Sequence, residues 1–190
     1  CIALFGQGLF YVDLVNSNRK WFRYEWVWDK VLTSGFLNAK RMPLRRHEQV
    51  AIFYKCPPVY IPQFTQGKPL HGKGTRYKDK PMTNRNYGAF NALDDERKGS
   101  TEKYPTSIIR FAKPHPSKAK SQTQKSVELC EYLIRTYTHE GDTVLDNCMG
   151  SGSTGVACVR SGRKFIGIEK DAEMFDVAAQ IIHSQEKNNV

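Results

Sequence analysis

A chain of 190 residues that is 39% hydrophobic and 12% aromatic can bury one sizeable core, which argues against a disordered or fibrous protein. No apolar run approaches the roughly 18 residues of a membrane span, and five scattered cysteines (Cys1, Cys56, Cys130, Cys148, Cys158) without a CxxC pair argue against a disulfide framework or a zinc site. The net charge of +10 makes a polyanion the natural partner, and it is local: from Ile61 to Lys125 fourteen Lys and Arg stand against five Asp and Glu, while the rest is nearly neutral.

Cys1 to Gly6 is a short apolar run ended by glycine, the pattern of a buried strand, and Leu9 to Val15 opens a helix. A non-Met start directly on a core strand predicts that sequence has been lost upstream. Phe22 to Asp29 and Glu48 to Tyr54 are aromatic and β-branched enough for strands, joined by the polar, glycine-bearing stretch Ser34 to Arg46. His47-Glu48 lacks the second histidine of a metalloprotease helix, so no metal is expected. From Tyr60 to about Ser121, glycines and prolines interrupt a basic stretch with interspersed Tyr77, Tyr87, Phe90 and Tyr104, and only Ser107 to Phe111 resembles a strand. This segment is expected to be a loop-rich inserted lobe.

Val127, Leu129, Cys130, Leu133 and Ile134 form one apolar face of a helix reaching Tyr137. A strand at Thr143 to Asp146, a glycine turn, a helix at Thr154 to Ser161, a strand at Lys164 to Glu169 and a helix from Ala172 to about His183 complete half of a doubly wound α/β fold. The turn reads Asp146, Asn147, Cys148, Met149, Gly150, Ser151, Gly152, Ser153, Thr154, Gly155. Glycines let backbone amides approach an anionic or carboxylate-bearing ligand, and the helix behind adds unpaired N–H groups. Gly150, Gly152 and Gly155 also satisfy GxGxxG, which leaves a dinucleotide-dependent oxidoreductase as a competitor. Against it, three residues separate the strand's terminal acid from the first glycine; strand, Asp, loop, G-x-G, helix, strand and acid is instead the layout of adenosylmethionine sites. Glu169 then stands where ribose hydroxyls would be accepted.

These residues resemble the amino-methylating DNA methyltransferases of the permuted class, whose adenosylmethionine motif lies at the C-terminus. TVLDNCMGSGSTGVA and GRKFIGIEKD are similar to the family's DPFMGSGTTG and GIE, with Asn147 and Cys148 replacing Pro and Phe. Ser121 to Leu129 resembles HPTQKPVEL, matching at Thr123, Gln124 and Lys125 but not at its His and two Pro positions. WVWDKVLTSGFLNAKRMPLRRHEQVAIFYK looks like the strands and loop that follow the catalytic motif.

The resemblance implies a Rossmann-like methyltransferase sheet with an inserted target-recognition lobe: residues 1–59 as core, 60–121 as the DNA-binding region and 122–190 as the S-adenosylmethionine half. It implies cofactor contacts from Thr123, Gln124, Lys125, Asp146, Asn147, Cys148, Met149, Gly150, Ser151, Gly152, Glu169 and Lys170. Duplex DNA would be the partner, in a bacterial or phage-type cytoplasmic setting near the nucleoid, within restriction-modification. Lys73, Arg76, Lys78, Arg85 and Asn86 are candidate DNA contacts, since cations neutralise phosphates and Arg or Asn can read base edges. Similarity to phage-type adenine methylases favours adenine N6 over cytosine N4; an RNA methyltransferase and a non-catalytic DNA- or cofactor-binding remnant remain open.

In the family a D/N/S-P-P-Y/F motif, which holds the extruded base, precedes the strand resembling IALFG, and the chain contains none. Cys56-Pro57-Pro58-Val59-Tyr60 is a look-alike with a poor acceptor and a displaced aromatic, and is expected to be a turn. The motif's strand would lie between Ile2 to Phe5 and Thr143 to Asp146. Its absence predicts two unpaired edges and a chain that alone neither folds stably nor methylates DNA unless a second polypeptide, an omitted segment or a rearrangement fills the gap.

Overall fold

A computed structural model describes residues 1–70, 82–86, 88–90, 99–115, 117 and 123–188. The first part runs β1 (Ile2–Gly6), α1 (Gly8–Ser17), β2 (Phe22–Ser34), a single 3-10 turn (Phe36–Asn38) and β3 (Arg45–Phe53). Four short strands follow, β4 (Thr65–Gln66), β5 (Met82–Asn84), β6 (Gly88–Phe90) and β7 (Glu102–Lys103). Next come β8 (Ile108–Arg110), α2 (Val127–Tyr137), β9 (Thr143–Asp146), α3 (Ser153–Ser161), β10 (Lys164–Gly167) and α4 (Ala172–Asn188). The chain divides into two compact units, Cys1–Gln63 with Thr106–Val190, and Phe64–Pro105.

In the larger unit, β3 pairs antiparallel with both β1 and β2, and β8 joins β2 in parallel, giving the order β1-β3-β2-β8. The pleat sorts the side chains by period two. Val50 and Ile52 join Trp26 and Trp28 on one face, against Leu129, Leu133 and Tyr137 of α2. Ala51 and Phe53 take the other face, where Tyr11 of α1 covers them. The parallel pair β9 and β10 forms the second sheet.

Helix α2 touches both sheets. Beside the stripe that meets the tryptophans, it presents Cys130 and Ile134 to Ala157 and Cys158 of α3 and to Val144 and Phe165 of the β9–β10 pair. Tyr137 accepts a hydrogen bond from Trp26 Nε1 at 2.7 Å and shares one with Tyr24 at 2.8 Å, so the buried aromatic polar atoms are satisfied. Ser126 caps the helix, its hydroxyl accepting the Leu129 N–H and donating to Glu128.

Four expectations change. Strand β2 extends to Ser34 instead of ending at Asp29, because the pairing with β3 resumes at Ser34 and Arg45 after an irregularity. Val31 absorbs that irregularity at φ 65°, the single non-glycine residue with positive φ among those described. Strand β8 belongs to the core sheet beside β2, so the smaller unit is narrower than the 60–121 segment read from composition. Within that unit the loop-rich expectation missed four strands: β4 pairs with β7 and β5 with β6, each over two or three residues, too short to show alternation. Phe64 and Tyr104 stack there at 4.9 Å between ring centroids. Helix α4 also runs past His183, to Asn188.

Among the described residues β1 pairs only with β3 and β9 only with β10, so each keeps one open edge. Leu145 and Ile166, adjacent in register on the face opposite α3, are 62% and 53% exposed. No helix among the described residues is long and apolar enough to cross a membrane. Because α2 is packed on both sides, Leu129→Ala should cost about 2–5 kcal/mol; urea denaturation measures it, with the midpoint falling and the slope unchanged.

Candidate functional site

Strand β9 ends at Asp146, whose carboxylate builds the turn that follows. Oδ1 accepts the Cys148 N–H at 3.1 Å and Oδ2 accepts the Thr154 hydroxyl at 2.7 Å, joining the strand end to the first turn of α3. Met149 is buried, its N–H donating to the Ile168 carbonyl at 3.0 Å, so the loop folds over the end of β10. Asn147 and Cys148 stay exposed.

The glycines have separate tasks. Gly150 and Gly152 hold φ 51° and 79°, a region that disfavours side chains. A Cβ at Gly150 would meet nothing within 4 Å, so its backbone borders open space. At Gly152 a Cβ would press on Ala178 and Ile182, and at Gly155 it would overlap Ile182 and Phe165, so these two glycines let α3 approach α4 and β10. Ser151 and Ser153 are buried, and the Ser153 hydroxyl has no hydrogen-bond partner among the described residues.

Glu169, two residues past the end of β10, closes the turn. Its Oε2 accepts the Gly150 N–H at 2.9 Å, while Oε1 accepts those of Lys170 at 2.9 Å and Asp171 at 3.1 Å. The N–H groups of Asp171 and Gly150, with that of Lys170, outweigh partial desolvation and hold the carboxyl below the ordinary carboxylate range. The Lys170 side chain is exposed. An open glycine backbone, an α-helix N-terminus and a fixed carboxylate can together receive a ligand with hydroxyl donors beside an anionic group.

Thr123, Gln124 and Lys125 precede α2. Lys125 donates to Glu48 Oε2 at 2.8 Å and lies 5.0 Å from the Phe5 ring centroid and 5.7 Å from that of Trp28. Buried Lys30 holds the other carboxylate oxygen at 3.2 Å. Burial alone would raise the Glu48 carboxyl; hydrogen bonds and charge from Lys125 and Lys30 prevail and hold it low. Neither Lys30 nor Glu48 was singled out from the sequence as a site residue. The signal was present, because both continue core-facing alternations: Trp26, Trp28, Lys30 on β2 and Glu48, Val50, Ile52 on β3.

The Cys130 thiol, one turn into α2, lies 4.0 Å from the Thr154 hydroxyl, so the Thr123 to Lys125 segment and the glycine turn come to the same end of the core. Burial pushes that thiol up to about 12, which makes Cys130 a packing group. Cys56-Pro57-Pro58-Val59-Tyr60 lies at the other end of α2, where Tyr60 packs on Tyr137 and the Ile61 N–H donates to the Thr136 carbonyl. Arg85 and Asn86 form the exposed turn between β5 and β6; Lys73, Arg76 and Lys78 lie outside the described residues.

Residues 6–180 match the model of a family described as DNA methylase. Type II methyltransferase M2.DpnII of Streptococcus pneumoniae is 34% identical over 107 residues, covering 55% of this chain and 38% of that protein. M2.LlaDCHI of Lactococcus lactis subsp. cremoris, also a Type II methyltransferase, is 46% identical over 69 residues, 36% of this chain and 23% of that protein. These matches therefore span well under half of the curated relatives' length. Among solved structures, the M1.HpyAVI-SAM complex aligns with TM-score 0.61 and 27% identity over 94% of this chain and 72% of that one. PvuII DNA methyltransferase (cytosine-N4-specific) shares the fold at TM-score 0.59 and 15% identity, over 95% of this chain and 63% of that one.

Since Glu48 has a lowered folded pKa, its stabilisation is present above the unfolded value, about 4.3, and is lost as pH falls through the folded one. Glu48→Gln should lower the urea midpoint at neutral pH and flatten the acid limb below about pH 5, measured by denaturation across that range.

Proposed function

Because the chain belongs to the DNA methylase family that its residues 6–180 match, we propose that it serves a site-specific DNA methyltransferase that moves a methyl group from S-adenosylmethionine to the N6 amine of a flipped adenine in duplex DNA. The observation that carries this reading is the Gly150 N–H held 2.9 Å from Glu169, which puts an acid beside an open glycine backbone at adjacent parallel strand ends. A dinucleotide fingerprint would start its glycines directly after the strand, whereas here Asp146 and three further residues intervene.

The residues fit the cofactor. Glu169, ionised and acceptor-only, takes the ribose hydroxyls; the loop from Asp146 through Asn147, Cys148, Met149, Gly150 and Ser151 to Gly152 borders the nucleoside; and Thr123, Gln124 and Lys125 face the methionine end, with Lys170 at the rim. Asp146 shapes the loop from behind, because both of its oxygens are engaged by the turn. Glu48 and Lys30 hold Lys125 in place. Bound there, the cofactor supplies an electrophilic methyl. Lys73, Arg76, Lys78, Arg85 and Asn86 contact DNA in the basic region between Tyr60 and Ser121, and adenine as target rests on the resemblance to phage-type adenine methylases.

The reading also requires a base-holding proline motif on a strand between β1 and β9, supplied from elsewhere in the protein or by a second chain. What supports it is the open edge each of those strands keeps and the exposed Leu145 and Ile166.

Calorimetry on the full-length protein should show S-adenosylmethionine binding well ahead of NAD, weakened about tenfold or more by Glu169→Gln; preference for NAD would overturn the reading. Transfer of radiolabelled methyl should yield N6-methyladenine in digested duplex. Residues 1–190 alone should give no turnover, and robust turnover from them would remove the need for an added strand.

A further inference from the structure

The β2–β3 connection is a built element that the site described above leaves unused. Its tip is ordered by backbone hydrogen bonds, Asn38 to Gly35, Ala39 to Phe36, and Arg41 and Met42 to Asn38, at 2.8–3.0 Å. Yet this ordered tip turns Phe36 and Leu37 outward, 80% and 98% exposed, with Met42 and Leu44 partly exposed on the returning limb. Lys40, Arg41, Arg45 and Arg46 accompany them, and no acid occurs between Lys30 and His47. The base is clamped by Asp29. It accepts the Val31 N–H at 2.9 Å and two bonds from Arg46 at 2.8 and 3.0 Å, with Arg110 at 3.9 Å, and thereby holds Val31 in its unfavourable left-handed backbone.

We infer that the tip is a second DNA-contacting element, outside the basic recognition region, in which Phe36 and Leu37 wedge against unstacked bases while Lys40, Arg41 and Arg45 hold the flanking phosphates. It rests on the reading of the chain as a DNA methyltransferase. Three observations select duplex DNA as the occupant. Cations around an apolar pair complement a polyanion whose bases offer apolar faces once opened. A second copy docking tip to tip would set Lys40, Arg41, Arg45 and Arg46 against the same four cations. The hairpin also leaves the core beside Glu48, the partner of Lys125, so it projects from the end where the glycine turn lies.

The test uses the full-length protein with a fluorescent duplex, S-adenosylmethionine binding and thermal unfolding being followed in parallel. Phe36→Ala/Leu37→Ala should weaken duplex binding about tenfold or more. Cofactor affinity, melting temperature and the salt dependence of binding should stay at wild-type values. Lys40→Ala/Arg41→Ala should weaken binding and reduce the slope of log K against log salt by roughly 2. Unchanged duplex affinity in the first variant overturns the wedge. So does loss of self-association, or of binding to vesicles of anionic phospholipid, in place of DNA binding. A wild-type protein that binds the cofactor but no duplex would instead defeat the DNA reading itself.

Discussion

Helix α2 is packed on two sides at once, and the rest of the larger unit depends on that double burial. Leu129, Leu133 and Tyr137 meet the tryptophans and β-branched residues of β2 and β3, while Cys130 and Ile134 meet α3 and the β9–β10 pair. With the two sheets separate in hydrogen bonding, side-chain packing along this helix couples them. Its start is pinned by charge as well as by packing, since Lys125 shares Glu48 with Lys30 and lies over two aromatic rings. One carboxylate between two ammonium groups leaves a positive charge at that end, where Thr123 and Gln124 lead into the helix.

Two carboxylates near the glycine turn are used differently. Asp146 is consumed by its own loop, accepting an N–H and a hydroxyl that define the strand-to-helix corner. Glu169 is held by three N–H donors, two on Oε1 and one on Oε2, which leaves Oε2 the acceptor with capacity for a ligand. Between them the glycines divide backbone exposure from helix packing: Gly150 faces open space, whereas Gly152 and Gly155 are required by the closeness of α4. The turn is therefore rigid on its protein side and open on the other, the arrangement that binding without reorganisation favours.

Positive charge occurs at two places with different surroundings. In the region between Ile61 and Lys125 it is dispersed among glycines and aromatics, with short strand pairs and the Phe64–Tyr104 stack giving part of it order. In the β2–β3 connection it surrounds an apolar tip on a clamped base. The first suits contact spread along a backbone; the second suits a local distortion.

The sequence already carried the elements whose signals are local: the 3.6-residue stripe from Val127 to Tyr137, the strands on either side of the glycine turn, and the Asp146-to-Glu169 spacing behind the family resemblance. It also determined where the charge lies. Folding in three dimensions chose which strand pairs with which, because hydrogen bonds between distant segments leave no mark on local periodicity. It brought Ile108–Arg110 into the core beside β2 and extended β2 past Asp29. It also decided which charges meet: Lys30, Glu48 and Lys125 are far apart in the chain and become one group only when α2 settles on the tryptophan face, where burial makes each polar atom find a partner.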